Sequence, residues 1–528
     1  MPFLGVVHLF DWDEINFAEA AREMIVSDNY LTVQIDYMPF WEKPPLFIWM
    51  QVFSMKLFGI NEFAARFPNA VCGIITLFVI FNIGKKLYDK KFGLLWVLAY
   101  CGSVLPFFYF KSGIIDPWFN LFIFLGVYKI LPALSGASQS GIIINIVLSA
   151  VFIGLAVLTK GPVALLIFVL CLVVWSIIKR SELRFSVKNI LLFIIILFVT
   201  GCSWFILLIL NGHFDVIRDS ILYQVRLFST QDAGHGGFFL YHFVILLAGV
   251  FPASVFFLRS FGRNDHDSDL QKSFVLLMKI LFWVVLILFT IVRTKIVHYS
   301  SLCYFPMTFL CTLVIYKIIK KEYDIPDWLK AGVVIIGAVM GVAVILLQFA
   351  GQNSEWMVRN FMKNDEFAAA SMQADVFWSG VEFIPGLVLL CGLIFFLLIA
   401  GKKGFQQGLV ILFSGSLIFI YLTMVQIVPR IEKYSQNAAI EFYKEHSDED
   451  CYIETLGFKS YAHLFYAGKQ PVDNKMSYDK MWLLGGDIDK QVYFVSKINK
   501  VDKYLSDYPY LEILYEKNGF VFLERKLD

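Results

Sequence analysis

Side chains able to do proton and phosphate chemistry recur in short stretches of this chain, each flanked by long apolar runs. The N-terminal region carries Asp11-Trp12-Asp13-Glu14, then Glu19-Ala20-Ala21-Arg22-Glu23, then Phe40-Trp41-Glu42-Lys43-Pro44-Pro45. Further on stand Asp116 in Ile-Ile-Asp-Pro, Lys160 in Leu-Thr-Lys-Gly-Pro, His235 in Gly-His-Gly-Gly-Phe-Phe, and Lys295, His298 and Tyr299 in Lys-Ile-Val-His-Tyr. A carboxylate such as Asp13 or Glu14 can orient or deprotonate a hydroxyl. Cations such as Lys43, Lys160 and Lys295 can neutralise a departing phosphate, and preorganised charge of that kind is a large catalytic contribution. Singly, these residues have plainer uses. Asp13 caps a helix over about 14–27, Glu19 pairs with Arg22 or Glu23 on a surface, and Pro44-Pro45 opens an interfacial helix anchored by Trp49. A lone Lys160 or Lys295 snorkels to a membrane interface. Together, however, they form a set of polar groups beside apolar phase, which is costly and marks a substrate path.

The elements that must position these residues are membrane spans. Of 528 residues 58% are hydrophobic and 17% charged, with a mean hydropathy of +0.67, which excludes an ordinary soluble domain. The 54 Phe, 24 Tyr and 12 Trp suit lipid-facing helices and interfacial belts. A net charge of +2 with scattered Lys and Arg excludes a nucleic-acid surface. Most of the eight Cys lie in apolar runs and only Cys451 in the polar tail, so no disulfide framework is expected. No Gly-rich phosphate loop, EF-hand or zincin motif occurs.

Apolar segments long enough to cross a bilayer fall at 64–84, 92–110, 114–134, 141–158, 162–178, 189–210, 239–258, 273–292, 299–316, 331–348, 381–399 and 408–427. Met1 to Phe10 reads as a truncated first span without the basic start of a signal peptide, for about 12–13 transmembrane helices in all. Basic residues collect in alternate loops: Lys85, Lys86, Lys90 and Lys91; Lys179, Arg180, Arg184 and Lys188; Arg259, Arg263 and Lys272; Lys317, Lys320 and Lys321; Lys402 and Lys403. The positive-inside rule makes these cytoplasmic. The first external loop, 11–63, and the turns that hold Asp116, Lys160, His235, Lys295 and His298 then share the outer face with the tail. The division is a membrane domain over 1–428 and a soluble α/β domain over 429–528, with strands expected at 451–455, 491–496 and 520–523 and helices at 433–446 and 498–507. A carboxylate and cation set on one face suits a lipid substrate with an anionic phosphate.

The run Asp13-Glu14-x-x-Phe17-Ala18-Glu19-x-x-Arg22-Glu23-Met24, followed by Glu42-Lys43-Pro44-Pro45, Asp116-Pro117, Leu158-Thr159-Lys160-Gly161 and Lys295-x-x-His298-Tyr299, resembles the aminoarabinose transferases of lipid A modification. More broadly it is similar to protein O-mannosyltransferases of the GT-C superfamily. The resemblance covers the membrane region to about residue 320 and implies a GT-C fold in a bacterial inner membrane. Its implied activity is transfer of a sugar, with inversion, from an undecaprenyl-phosphate carrier to lipid A, another glycan or a protein in the periplasm. It makes Asp13 the essential acid with Glu14 beside it, and gives Glu42 and His235 a divalent metal, zinc in this branch. Lys43 contacts the carrier phosphate, Lys160 and Asp116 line the cavity, and Tyr299 orients the donor head group. Asn16-Phe17 and Phe40-Trp41 replace hydrogen-bonding residues of the lipid A enzymes, which leaves the sugar open. A flippase for lipid-linked sugars is the rival from another class, and it predicts polar residues near mid-span.

Overall fold

The computed structural model describes residues 3–40, 42–134, 141–179, 186–229, 237–261, 267–400 and 404–527, with backbone only for 223–229 and 400. His235, Trp41, Arg180, Arg184, Arg263, Lys402 and Lys403 lie outside the described residues.

All twelve apolar segments read from the sequence fall on helices. Among the described residues seven helices are long and apolar enough to cross a membrane, and nine if each of two bent pairs is one span. The bends are 57° between Val187–Gly201 and Ser203–Leu210, and 118° between Tyr241–Gly249 and Ala253–Phe261. The segment at 92–110 is likewise broken, into Lys90–Cys101 and Val104–Tyr109. Residues 3–10 form no helix.

The helices have two distinct ends. At one end Gln271 donates to the Leu87 carbonyl at 2.6 Å, Lys91 to Gln406 at 2.8 Å, and the Tyr316 hydroxyl to Asp89, gathering the helix ends beside four of the basic loops. At the other end Glu14 meets Arg66, and Asp116 meets Lys160. The Glu62–Leu87 helix joins the two ends, and 26 residues at 1.5 Å rise span about 39 Å.

The first loop is a structured layer. Its helix runs Asp13–Val26, one residue from the expected start, with Trp12 rather than Asp13 at the N-cap. Glu14 accepts from Arg66 Nε at 3.0 Å and Nη2 at 2.8 Å, from the Phe10 amide at 3.0 Å and from the Gly113 amide. The same guanidinium donates to the carbonyls of Leu4, Val7 and His8, so one buried cation fixes the chain entering the helix. Burial raises the Glu14 pKa, but Arg66 and the two amides outweigh it and hold the carboxyl below its ordinary range.

Eight residues on, Arg22 grips Glu19 through two 2.7 Å bonds with both side chains buried, so the pair is an anchor and not a surface pair. Arg22 Nη2 and the Tyr37 hydroxyl each donate to the Lys469 carbonyl at 2.7 Å, which bolts the loop to the tail. Glu23 accepts from the Asp36 and Tyr37 amides at 2.6 and 2.8 Å. These two residues turn between β1 (Gln34–Ile35) and β2 (Met38–Pro39) with φ of 57° and 54°, and the carboxylate compensates a backbone that favours Gly or Asn.

The tail holds a sheet of order β3-β4-β6-β5, with β3 (Tyr452–Leu456) parallel to β4 (Val492–Lys497), and β6 (Phe520–Arg525) antiparallel to β4 and β5 (Glu512–Lys517). Alternation sends Tyr493, Val495, Phe520 and Phe522 into a core shared with Ile15, Phe17, Phe47 and Ile48 of the first loop. Val492, Phe494, Val521 and Leu523 face the opposite core, with Val501 of the Ile498–Asp507 helix. β5 was not expected; it is exposed along its length and lacks the alternation that marks a half-buried strand.

Two outcomes follow. Arg66→Ala orphans a buried carboxylate and should cost about 3–5 kcal/mol, read as a lowered unfolding midpoint in detergent. Burial and the Glu19 carboxylate raise the Glu23 pKa well above the carboxyl range. The folded state therefore binds this proton more tightly than the unfolded chain, and the stability it gives is lost as pH rises through the folded value. The unfolding midpoint should decline from mildly acid pH, above the ordinary carboxyl value, up to about pH 9, and Glu23→Gln should flatten that decline.

Candidate functional site

The two halves of the site are brought together by helix termini. Asp116 opens the Asp116–Leu134 helix and Lys160 closes Ile142–Lys160, each with the charge that complements the helix dipole there. Gly161 ends the second helix at φ +89°, where nothing lies near an added Cβ, so backbone conformation and not space requires glycine. Lys160 Nζ then sits 2.6 Å from Asp116 Oδ1, the lysine half-buried and the carboxylate buried. It lies 5.6 and 5.3 Å from the ring centres of Phe119 and Tyr299. This is a fixed ion pair, not a snorkelling lysine.

His298 belongs to the 3-10 turn Val297–Cys303. Its carbonyl accepts from Ser301 Oγ at 2.5 Å, and Ser301 accepts from Asn120 Nδ2 at 2.8 Å, one turn along from Asp116. The imidazole Nε2 is 3.2 Å from Asp13 Oδ2 and 4.0 Å from Asp116 Oδ2. The Asp13 contact as a hydrogen bond requires the proton on Nε2. Asp116 Oδ2 is buried and makes no hydrogen bond among the described residues. His298 thus ties the first-loop acid, which is one-third exposed, to the buried Asp116 and its partner Lys160.

Beside this cluster of four lies a cavity of about 270 Å³. Lys43, Asp116, Lys160, Thr294 and Tyr299 form its polar end, and Pro162, Val163, Leu166, Leu288, Phe289 and Val292 form an apolar wall. Lys43 comes from the turn before the Leu46–Phe58 helix, and Glu42 stands next to it. Trp49 of that helix donates to the Tyr30 carbonyl at 2.8 Å, bracing the loop rather than anchoring it in lipid.

Three sequence readings change. Glu14 is one residue from Asp13, but both its oxygens are taken by Arg66 and backbone amides, so it holds the fold and does not face the cavity. Lys295 donates to the carbonyls of Phe289, Thr290 and Val292 at 3.0, 2.6 and 2.7 Å, capping the Asp269–Ile291 helix instead of lining the cavity. The helix end needs a donor for its orphan carbonyls, and the ammonium supplies three. Asn16 and Phe17 are buried, with Phe17 edge-on to Phe47 at 6.0 Å, so this departure concerns packing and not the head-group pocket. Among the described residues no three His, Cys, Asp or Glu side chains are grouped to hold a metal. Glu42 is the described half of the expected pair. Phe119, Asn120, Thr294 and Ser301 were missed; for Asn120 the spacing of four from Asp116, one helical turn, was the available signal.

A long bent-helix membrane bundle with its polar site at one end, roofed by a first loop and a tail sheet, has the architecture of the GT-C class of multi-pass membrane proteins. Residues 42–204 match the family described as dolichyl-phosphate-mannose-protein mannosyltransferase. The chain is similar to an undecaprenyl phosphate-alpha-4-amino-4-deoxy-L-arabinose arabinosyl transferase of Proteus mirabilis, 24% identical over 64% of this chain and 61% of that protein. It is also similar to the enzyme of the same description from Pectobacterium atrosepticum, 23% identical over 81% and 74%. It thus spans less than two thirds of the Proteus relative. The crystal structure of ArnT from Cupriavidus metallidurans bound to undecaprenyl phosphate superposes with a TM-score of 0.78 at 16% identity, covering 99% of this chain and 95% of that one. The chain carries the GT-C fold along nearly its whole length.

Removing the cap should cost stability: Lys295→Met should lose about 2–3 kcal/mol through three broken charge-assisted bonds. Asn120→Ala, which frees Ser301, should cost about 1 kcal/mol. Chemical denaturation of the purified variants checks both.

Proposed function

We propose that the protein transfers a sugar from a polyprenyl-phosphate carrier, undecaprenyl phosphate in bacteria, to a lipid A or other cell-envelope acceptor. The observation that carries this is the cavity itself, two lysines and a tyrosine at one end and an unbroken apolar wall at the other. A lipid phosphate has that polarity, charged at one end and hydrocarbon along its length. The relatives, named for an undecaprenyl-phosphate donor, support the same reading.

In this reading the phosphate lies against Lys43 and Lys160, and the prenyl chain runs along Val163, Leu166, Leu288 and Val292. Lys160 gives one N–H to Asp116 and has two more to offer. As the glycosidic bond breaks, negative charge grows on the phosphate and the fixed lysines stabilise it. Asp13, oriented by the His298 Nε2–H, takes the proton of the acceptor hydroxyl, which attacks from the face opposite the phosphate and inverts the anomeric carbon. Tyr299 holds the donor head group. Glu42 and His235 would hold a divalent cation, zinc by resemblance, that adds positive charge at the same phosphate. The first loop, cavity and tail would face the periplasm, with the basic helix ends in the cytoplasm.

The mannosyltransferase family match over 42–204 favours a second reading, in which the sugar is mannose and the acceptor a protein. Purified protein incubated with labelled aminoarabinosyl and mannosyl undecaprenyl phosphates, and with lipid A or protein acceptors, separates the two.

Asp13→Asn should lower transfer by about 100-fold or more with donor affinity retained, whereas Lys160→Met should lower kcat as well as raise the KM for donor. Full transfer by Asp13→Asn would remove the assigned base. Carrier translocation across proteoliposomes without transfer would point to the flippase instead.

A further inference from the structure

A second cavity, of about 170 Å³, lies in the tail against the edge strand β3. Its lining includes Tyr452, Glu454, His463, Lys469, Gln470 and Lys490. His463 is 5% exposed, and its Nδ1 has no hydrogen-bond partner among the described residues. A buried imidazole nitrogen left unpaired costs free energy, which marks the ring for more than packing. Burial lowers the His463 pKa, so the ring is neutral and offers one donor and one acceptor.

The charges around this cavity are matched. Lys490 pairs with Asp450, Lys480 with Glu454 at 3.1 Å and Lys469 with Asp36 at 2.5 Å, and Glu449 is hydrogen-bonded to the His446 ring at 2.8 Å. Such a wall presents dense donors and acceptors with each of these lysines already neutralised, which suits an uncharged polyhydroxyl better than a phosphate. Tyr452 and Pro471 add apolar faces of the kind that pack on sugar rings.

The rim is not independent of the catalytic layer. The Lys469 carbonyl takes hydrogen bonds from Arg22 and Tyr37, and Arg22 stands nine residues along the helix that begins at Asp13. That is about 14 Å of helix axis, a distance a few linked sugars bridge.

We propose that this cavity binds the carbohydrate part of the acceptor, holding a sugar of the glycan while another of its hydroxyls reaches Asp13. The proposal rests on the glycosyl-transfer reading for the identity of its ligand.

The test titrates the full-length protein in detergent with glucosamine, N-acetylglucosamine and mannose disaccharides by calorimetry, with undecaprenyl phosphate binding measured in parallel. Ser447→Trp, at an exposed position on the rim, plugs the mouth without entering the core. His463→Gln removes the imidazole. Wild-type protein should bind at least one disaccharide, and both variants should weaken it about tenfold, or 1.4 kcal/mol, with undecaprenyl phosphate affinity unchanged. In the transfer assay the KM for acceptor should rise about tenfold at constant kcat. No disaccharide binding by wild type, undiminished binding by the plugged variant, or displacement by inorganic phosphate would overturn the proposal. Loss of undecaprenyl phosphate binding by wild type would instead count against the glycosyl-transfer reading alone.

Discussion

The buried ion pair between Arg66 and Glu14 is the interaction on which the rest of the site depends. One guanidinium, rooted in a membrane helix, spends its donors on the carboxylate that opens the first-loop helix and on three carbonyls of the chain that leads into it. A planar five-donor fork can do this and a lysine cannot. Asp13 is one residue from Glu14, so fixing the one sets the other where it meets His298. The Gly113 amide, also bound to Glu14, draws in the segment that leads to Asp116. A single anchor therefore registers the loop acid against the two helices that supply Asp116 and Lys160.

The same helix carries a second anchor at its other end, where Glu19, Arg22 and Glu23 organise the β1–β2 turn and hold the tail through Lys469. The first helix is thus a rigid bar between the cavity and the tail sheet. Its buried charges, Glu14 and the Glu19–Arg22 pair, are costly to desolvate, and each is matched by a bidentate partner or by backbone amides. This explains why the tail and the first loop share one apolar core rather than packing as separate bodies.

Much of this was legible in the chain. Hydrophobic runs fixed the helices because bilayer thickness leaves few alternatives, and alternate basic loops separated the two helix ends, which the contacts of Gln271 and Lys91 at one end and Arg66 at the other reproduce. Lys43, Asp116, Lys160 and Tyr299 were singled out and line one cavity, with His298 and Asp13 adjoining. Glu14 and Lys295 were assigned chemistry and proved to be an anchor and a helix cap. Their neighbours in sequence were right, but which carbonyls or guanidinium lay within reach depended on residues 52 positions away for Glu14 and on the end geometry of a helix for Lys295.

By itself, then, the sequence determined a multi-pass helical membrane chain with a polar, strand-bearing tail and a one-sided set of carboxylates, lysines and histidine, because periodicity, hydropathy and charge are local properties. Only the tertiary structure decided which of those polar groups share a cavity, since a carboxylate at 14 and one at 13 look alike in sequence and differ only in what packs against them. It also decided that Asn16 and Phe17 belong to a packed core, and that an unpaired histidine nitrogen lies at a second, polar cavity in the tail. Those are properties of long-range juxtaposition, where burial sets the energetic value of each charge.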